Sequence, residues 1–267
     1  MTALALGAAV FMGAAAAAPA LAEPDFEGRE CLSAPYDDPR SDGQRQIRAL
    51  AMWLTSALQA FPGIVELLHG DGPDLCLAEE LFGIQGYYEP EAHRIVIRSG
   101  IGVPLRRAVA IHELRHLQQS RIGICPDPGL SMDATARLVL AMEADASAVS
   151  LAIAWQLRAA GDASVWEALA AWPSHEAMAE VFRAEAEASG DIGLATARAF
   201  TAWYATESLR ETYYVAACSA YLDRQDRTHA LPRYGSIDDA FLDRLCRLPG
   251  GPRYPCAEPA DAAAGRR

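Results

Sequence analysis

The 267-residue chain contains no lysine, which we interpret as a bias of composition without a functional meaning of its own. All 23 basic residues are arginine, against 35 acidic residues, and the formal net charge is -12. No part of the sequence resembles a basic face, which argues against binding to nucleic-acid phosphates. Internal repeats and clear linkers are also missing, while 51% of the residues are hydrophobic. This composition is typical of one globular domain with its own core.

Several motifs of other enzyme classes are missing as well. There is no Gly-x-Ser-x-Gly segment, no glycine-rich loop to bind phosphate and no close Cys-x-x-Cys pair. A thioredoxin-like site and a cysteine-based zinc site are therefore disfavoured. An even number of cysteines in an exported chain predicts up to three disulfides, with 15 possible pairings, whereas in a cytosolic chain some would be buried thiols. The six are Cys31, Cys76, Cys125, Cys218, Cys246 and Cys256.

The first 22 residues form an alanine-rich apolar run that ends Ala-Leu-Ala before Glu23-Pro24. Small residues at the end of such a run are typical of a cleaved signal peptide, which predicts a periplasmic or secreted protein of bacterial type. No basic residue precedes the run, so an uncleaved anchor is the alternative. No second stretch is expected to span a bilayer, and no stable membrane span is expected after cleavage. We expect a signal peptide at 1–22, one domain at 23–248 and a flexible, Pro- and Gly-rich tail at 249–267.

The periodicity of hydrophobic residues predicts a mainly helical α+β domain. A strand, turn and strand are expected between about 83 and 98, followed by a helix over about 105–120. Long helices are expected over about 132–159 and 191–224. A short β-hairpin thus precedes the helix at 105–120, which carries the most informative motif of the chain.

That motif is the segment His112–His116, which reads His-Glu-Leu-Arg-His. Residues four apart on a helix share one face, where two imidazoles can bind the same zinc ion. Glu113 lies about 100° around the helix, so it can act as the general base that takes a proton from the attacking water. With six His and 18 Glu in the chain, chance alone gives such a match in about 1% of random arrangements. The apolar residues around the motif, such as Ala108 and Ile111, indicate a buried helix rather than a solvated one.

A catalytic zinc ion needs a third protein ligand and an open position for water. No histidine follows His116 at close spacing, and Glu143 fits instead, because it interrupts a strongly apolar helix and needs a partner there. The alternative is a Glu143 that is buried against Arg115 or Arg137. Asp145 competes for the same role, but it points about 200° away on a helix, where it could orient a ligating histidine.

The residues from Gly86 to Glu143 resemble a small gluzincin, a zinc peptidase of the His-Glu-x-x-His type. More narrowly, His-Glu-Leu-Arg-His-x-x-Gln followed by Glu-Ala-Asp-Ala is similar to a bacterial family of exported metallopeptidases of unknown function. The resemblance implies a small zincin-like domain in which zinc is held by His112, His116 and Glu143, with Glu113 as base. In gluzincins an Asp often follows the glutamate ligand by four residues, and here Ser147 takes that place.

The resemblance also suggests a role for the strand at Ile95–Arg98. In such enzymes an edge strand before the metal-binding helix pairs with an extended peptide. A plain structural hairpin is the alternative. Candidates for stabilising the oxyanion are less specific, because aromatic residues on a long helix are more often part of the core. These candidates are Tyr204, Arg210, Tyr213, Tyr214 and His229.

The remaining histidines are interpreted without a catalytic role. His175 precedes Glu176 at the start of a helix but lacks a second histidine four residues on, and His69 and His93 are expected to be solvated. The sequence thus predicts zinc-dependent hydrolysis of peptide bonds in a peptide or protein substrate. Two alternatives stay open: a zincin-like binding or scaffold module without activity, and an envelope interaction protein whose motif is accidental. The oligomeric state is not predicted.

Overall fold

The computed structural model describes residues 29–81, 83–238 and 240–259. The expected signal peptide at 1–22 lies outside the described residues, as do residues 260–267 of the expected tail. Helices predominate in the described part over a small mixed sheet, which confirms the mainly helical α+β class. The helices are α1 (Asp42–Ala57), α2 (Pro62–Val65), α3 (Val103–Arg121), α4 (Met132–Ala159), α5 (Ser164–Ala170), α6 (Glu176–Ser189), α7 (Ile192–Ala205), α8 (Glu207–Thr228) and α9 (Phe241–Leu245).

The described strands form one sheet in the order β1-β2-β4-β3. They are β1 (Glu30–Leu32), β2 (Asp74–Ala78), β3 (Gly86–Glu89) and β4 (Arg94–Arg98). β4 pairs in parallel with β2 and antiparallel with β3, which precedes it in the predicted hairpin. Ile95, Val96 and Ile97 are all buried, so both faces of β4 are covered. β3 is left at the edge of the sheet, beside α3.

Helix α3 contacts both the sheet and the helices α4 and α5. Pro104 occupies its first turn, where the missing N–H costs nothing, and the helix runs to Arg121. One side of α3 packs on β3 and β4, and the other packs on α4 and α5. Ala108, Ile111 and Leu114 are fully buried in these contacts. The apolar surroundings expected for the His-Glu-Leu-Arg-His segment are therefore present.

Helix α4 is the central helix of the helical layer. Ser131 caps its start by accepting a hydrogen bond from the N–H of Ala134. It contacts α3, α5, α6, α7 and α8, and its many alanines let these neighbours approach closely. Helix α4 is long and apolar enough to cross a membrane. The expectation that no stretch after the first 22 residues meets this criterion is therefore wrong. Most of α4 is buried inside the protein, as in the core helix of a soluble domain.

The helix expected over 191–224 is two helices. Thr206 adopts an extended backbone conformation between α7 and α8, with a ψ angle of 94°. α7 packs on α6 and α4, whereas α8 turns back along α4. The break directs Tyr213, on the second turn of α8, toward the cavity beside α3 and α4.

Two disulfides are present among the described residues. Cys31–Cys76 joins β1 to β2 at directly paired positions, and Cys246–Cys256 closes a loop near the C-terminal end of the described chain. Cys125 and Cys218 are free thiols in the structure. The structure thus selects two pairings where the sequence allowed up to three disulfides.

Residues 249–259 are packed, although their composition predicts a flexible tail from residue 249. Tyr254 is buried with 1% of its surface exposed, and its ring lies 6.5 Å from that of Phe200. Glu258 forms an ion pair with Arg137 at 2.6 Å. The Cys246–Cys256 disulfide and these long-range contacts hold the segment, and neither can be read from local composition. The proposed division at residues 22 and 248 stays a prediction.

Candidate metal centre

The two histidines of the motif converge from consecutive turns of α3. Their Nε2 atoms lie 3.1 Å apart, and their rings meet edge to face with centroids 4.7 Å apart. Each side chain is about 85% buried, since 15% of His112 and 13% of His116 is exposed. Two imidazole nitrogens held this closely are suited to binding one metal ion.

Glu143 faces both histidines from α4. Its carboxylate oxygens lie 3.5 Å from His112 Nε2 and 3.4 Å from His116 Nε2. One donor atom from each residue lies within 4.8 Å of the others. The chemistry of this donor set, two imidazoles and one carboxylate, fits a zinc ion. The structure therefore brings together the three ligands that the sequence predicts.

Arg115 and Arg137, the two alternative partners of Glu143, each form an ion pair with a different carboxylate. Arg115 pairs with Asp145, with Nε–Oδ2 and Nη2–Oδ1 distances of 2.7 and 3.0 Å. Arg137 pairs with Glu258 near the C-terminal end of the described chain. Asp145 points away from the cluster, as its position on the helix predicts. Glu143 is thus the acidic residue of α4 that contacts His112 and His116.

The charges of the cluster shift the pKa values of its members. Burial lowers the pKa of His116, but the Glu143 carboxylate, together with Glu113 and the hydrogen bond to Gln119, raises it to about 9. Burial alone would raise the pKa of Glu143, yet His116 and His112 hold it well below its usual range. In the metal-free protein the cluster therefore holds an imidazolium beside a carboxylate.

Glu113 lies next to this cluster and is 5% exposed. Its burial raises the pKa of the carboxyl group, while the nearby imidazoles and the backbone N–H of Tyr88 act in the opposite direction. Tyr88 belongs to β3, so the edge strand and Glu113 are in contact. Gly86 makes this contact possible, because a Cβ there would lie 2.5 Å from Val109 Cγ1 and 2.9 Å from the carbonyl oxygen of Val96.

The edge strand beside the cluster is β3, which corrects the expectation that the strand at Ile95–Arg98 has a free edge. β4 contains those residues and has partners on both sides, namely β2 and β3. The sequence correctly indicates a hairpin but does not show β2, whose pairing covers the far edge of β4. Of the two edge strands in the described sheet, β1 and β3, it is β3 that lies beside α3, so an extended segment added next to the cluster would pair with β3.

A cavity of about 620 Å³ opens at the cluster. His112, Glu113, His116 and Glu143 lie in its wall. The other lining side chains of the described residues are apolar or carry no formal charge at neutral pH, and they include Leu105, Val139, Leu169, Trp172 and Trp203. A cavity with few polar groups that converge at one point is typical of a binding site for a substrate.

Two lining residues come from parts of the chain that are distant from the motif. Tyr213 is one of the oxyanion candidates, although its position on a long helix is more typical of core. Its hydroxyl faces the cluster, and the charge of Glu143 followed by burial raises its pKa. His175 lacks a second histidine four residues on and is not expected at the site, yet it lines the cavity. Burial and the nearby His112 lower the pKa of His175 to about 3, so its ring is neutral at neutral pH. Only the folding of α8 and of the segment before α6 brings these residues to α3.

Three of the other oxyanion candidates lie away from the cluster. Tyr204 is buried in the core against Phe200 and Trp203, and Tyr214 is exposed on the outer side of α8. His229 is exposed at the end of α8. Ser147 is buried and lines the cavity at the position where gluzincins often have an aspartate.

A helix with two imidazoles one turn apart, faced by a carboxylate from a second helix, defines a candidate centre for a divalent metal ion. Residues 15–256 match the family described as "Putative metallopeptidase family (DUF6782)", and the chain belongs to this family. The expected relation to metallopeptidases is thereby confirmed at the level of the family. The chain matches no curated protein and no solved structure.

We predict that zinc binding at pH 7 releases about one proton per ion, because metal must displace the proton of His116. The folded pKa of His116, about 9, exceeds the value near 6.5 that is typical of an unfolded chain. Protonation therefore stabilises the metal-free protein fully below about pH 6.5, and this stabilisation is lost as the pH rises through about 9. Titration calorimetry in buffers of different ionisation enthalpy measures the released proton. Heats that do not depend on the buffer at pH 7 would contradict the prediction.

Proposed function

We propose that the protein is a zinc-dependent peptidase of the gluzincin type, with His112, His116 and Glu143 as metal ligands and Glu113 as general base. The observation that carries this proposal is the convergence of three donor groups from two helices at the wall of one cavity, with a buried carboxylate beside them. Zinc at this site would supply a Lewis acid and lower the pKa of a bound water toward neutrality. The family relation supports the same reaction class.

Glu113 accepts a proton from the attacking water and later delivers it to the leaving amine. Burial raises its pKa, which brings the carboxyl group closer to the pH at which a base and its conjugate acid are both accessible. The backbone N–H of Tyr88 holds the carboxylate at its place beside the cluster. A module that only binds metal would have no use for this group.

Tyr213 is proposed to stabilise the oxyanion. Its hydroxyl faces Glu143 and Glu113 from α8, and its raised pKa keeps it protonated, so it can donate a hydrogen bond. Developing negative charge on a carbonyl oxygen at the cluster would be within its reach. This assigns to α8, which is distant in sequence from the motif, a direct part in the reaction.

The substrate is proposed to bind as an extended peptide along β3. The strand has a free edge at the cavity, and Tyr87, Tyr88 and Gly86 line the cavity wall. Pairing with a strand edge recognises the backbone of a peptide, whereas the cavity selects its side chains. The proposed contact explains why β3 must approach α3 closely enough to require glycine at position 86.

The cavity favours an internal, uncharged part of the substrate. Glu113 and Glu143 are the only formally charged carboxylates in the lining formed by the described residues, and no arginine lines it. A carboxypeptidase needs a cation for the free carboxylate of its substrate, and a buried charge without a partner is costly. We therefore propose an endopeptidase that accepts an apolar side chain. The two disulfides are compatible with an exported protein, so we propose that it acts in the periplasm or outside the cell.

We predict that Glu113→Gln abolishes hydrolysis without loss of zinc, because glutamine keeps the shape of the side chain but cannot accept the proton. A peptide library is incubated with the parent and the variant, and zinc is measured in parallel. The expected rate is lower by about 10²–10⁴-fold. Glu187→Gln, at an exposed position of α6, is the matched control and should behave as the parent. Equal cleavage by Glu113→Gln would rule out this mechanism, and cleavage by neither protein would favour a scaffold role.

A second prediction concerns Tyr213→Phe, which removes one hydroxyl group and keeps the ring. We expect kcat to fall by about 10²-fold or more with little change in KM, since the hydrogen bond forms mainly in the transition state. Tyr214→Phe on the exposed side of α8 is the control. A loss confined to KM would contradict the assigned role.

A third prediction concerns the ends of the substrate. Peptides blocked at both termini should be cleaved as well as free peptides, because the described lining has no cation for a terminal carboxylate and its two carboxylates are assigned to the metal and to the attacking water. Replacing the apolar residue next to the scissile bond by Asp or Arg should lower kcat/KM by about 10-fold or more. Mass spectrometry of blocked and free libraries measures both effects. A requirement for a free terminus would overturn the endopeptidase proposal.

A further inference from the structure

His116 has a hydrogen-bond partner at Nδ1 in addition to the contact of its Nε2 with Glu143. Its Nδ1 atom lies 2.8 Å from Oε1 of Gln119, one turn further along α3. The amide nitrogen of Gln119 donates to Asp145 Oδ2 at 2.8 Å and to the carbonyl oxygen of Met142 at 2.9 Å. Gln119 is completely buried, so its amide has no water with which to exchange these bonds.

These contacts determine the direction of the hydrogen bond to His116. Asp145 is paired with Arg115 and accepts hydrogen bonds, so the –NH₂ group of Gln119 must face it. The carbonyl oxygen of Gln119 is then left to face His116, and it can only accept. Nδ1 of His116 must therefore carry a proton, so the proton that a metal ion displaces is the one on Nε2, and the Nε2 lone pair then faces the metal.

The position of Asp145 depends in turn on the C-terminal part of the described chain. The Tyr254 hydroxyl donates to Asp145 Oδ1 at 2.6 Å. Arg115 donates from Nη2 to the carbonyl oxygen of Leu245 at 2.7 Å, in addition to its ion pair with Asp145. Tyr254 belongs to the loop that the Cys246–Cys256 disulfide closes, and Leu245 directly precedes this loop. All of these polar groups are buried.

We propose that Gln119, Asp145 and Tyr254 are positioning residues for the metal centre, and that the C-terminal disulfide loop sets the metal affinity of His116 through them. We refer to the contacts Tyr254–Asp145–Gln119–His116 as the relay. The proposal rests on the proposed function, since it assumes that His116 binds zinc. In many zinc sites a carboxylate contacts the ligating histidine directly. Here the amide of Gln119 lies between His116 and Asp145. It fixes the tautomer of His116 without placing a second carboxylate next to the imidazole ring.

The relay is tested by the zinc affinity of two variants, measured by competition with a chelator on the intact protein. Gln119→Met removes the hydrogen bond to His116 with little change in volume, and we expect zinc to bind about 10–100-fold more weakly. Tyr254→Phe removes one hydroxyl group at the far end of the relay, and we expect a smaller loss in the same direction. The double variant should lose less than the product of the two single effects, because both act through the same contacts.

Tyr204→Phe is the matched control. Tyr204 is as deeply buried as Tyr254 and neighbours the same aromatic cluster, but its hydroxyl does not contact Asp145 in the structure. The melting temperature of each metal-free variant is recorded beside the zinc affinity. A merely structural role would lower the melting temperature and leave zinc binding unchanged, whereas a positioning role weakens zinc binding beyond the effect of the control.

If Gln119→Met does not fold, the comparison of Tyr254→Phe with Tyr204→Phe still decides the question, and nitrogen NMR of the zinc-loaded parent provides a second measurement. We expect the proton of His116 on Nδ1. Zinc affinities of Gln119→Met and Tyr254→Phe equal to that of the parent, or a proton on Nε2, would overturn the relay alone. A parent protein that binds no zinc at His116 would overturn the relay together with the proposed function.

Discussion

The buried ion pair between Arg115 and Asp145 is the interaction on which the arrangement of the site depends. Neither charge has access to water, since Arg115 is 1% exposed and Asp145 is completely buried. Such a pair is tolerated only when the remaining donors and acceptors also have partners, and breaking it by removing one partner costs about 3–5 kcal/mol. Here Gln119, Tyr254 and the carbonyl oxygen of Leu245 provide these partners. The pair thereby fixes α3, α4 and the C-terminal loop relative to one another, at the level of the metal centre.

The local elements of the fold follow from the sequence, and the long-range ones do not. Helix α4 begins and ends where its apolar pattern predicts, because Ser131 supplies a cap and apolar residues continue to its end. The break at Thr206 escapes the pattern, since apolar residues recur at helical spacing on both sides of it. The sequence pattern does not indicate β2 either, because it is a short strand whose partners, β1 and β4, are distant in the chain. Because β2 pairs with β4, the strand at Ile95–Arg98 has no free edge, and a sequence in which β2 cannot be recognised leaves that strand as a candidate edge.

The same distinction applies to the candidate site. His112, Glu113 and His116 can be recognised because their chemistry depends on spacing within one helix. Glu143 can be recognised because an acid inside an apolar helix needs a partner. Residues such as Tyr213, His175 and Tyr254 reach the site only through the packing of other elements, so no local pattern marks them. Gln119 is an intermediate case: it lies one turn after His116, and its burial could have been inferred from the apolar residues around it.

The contact of Tyr254 with Asp145 can form only after most of the chain has been synthesised. The ribosome makes His112, His116 and Glu143 long before Tyr254, and the Cys246–Cys256 loop can form only after both of its cysteines have been made. A nascent chain therefore contains all three proposed ligands, with Gln119 and Asp145, before the Tyr254 hydroxyl that contacts Asp145 has been made. Maturation of the centre would then be completed by oxidation of the loop, so that a chain clipped upstream of Tyr254 retains the motif without its final support.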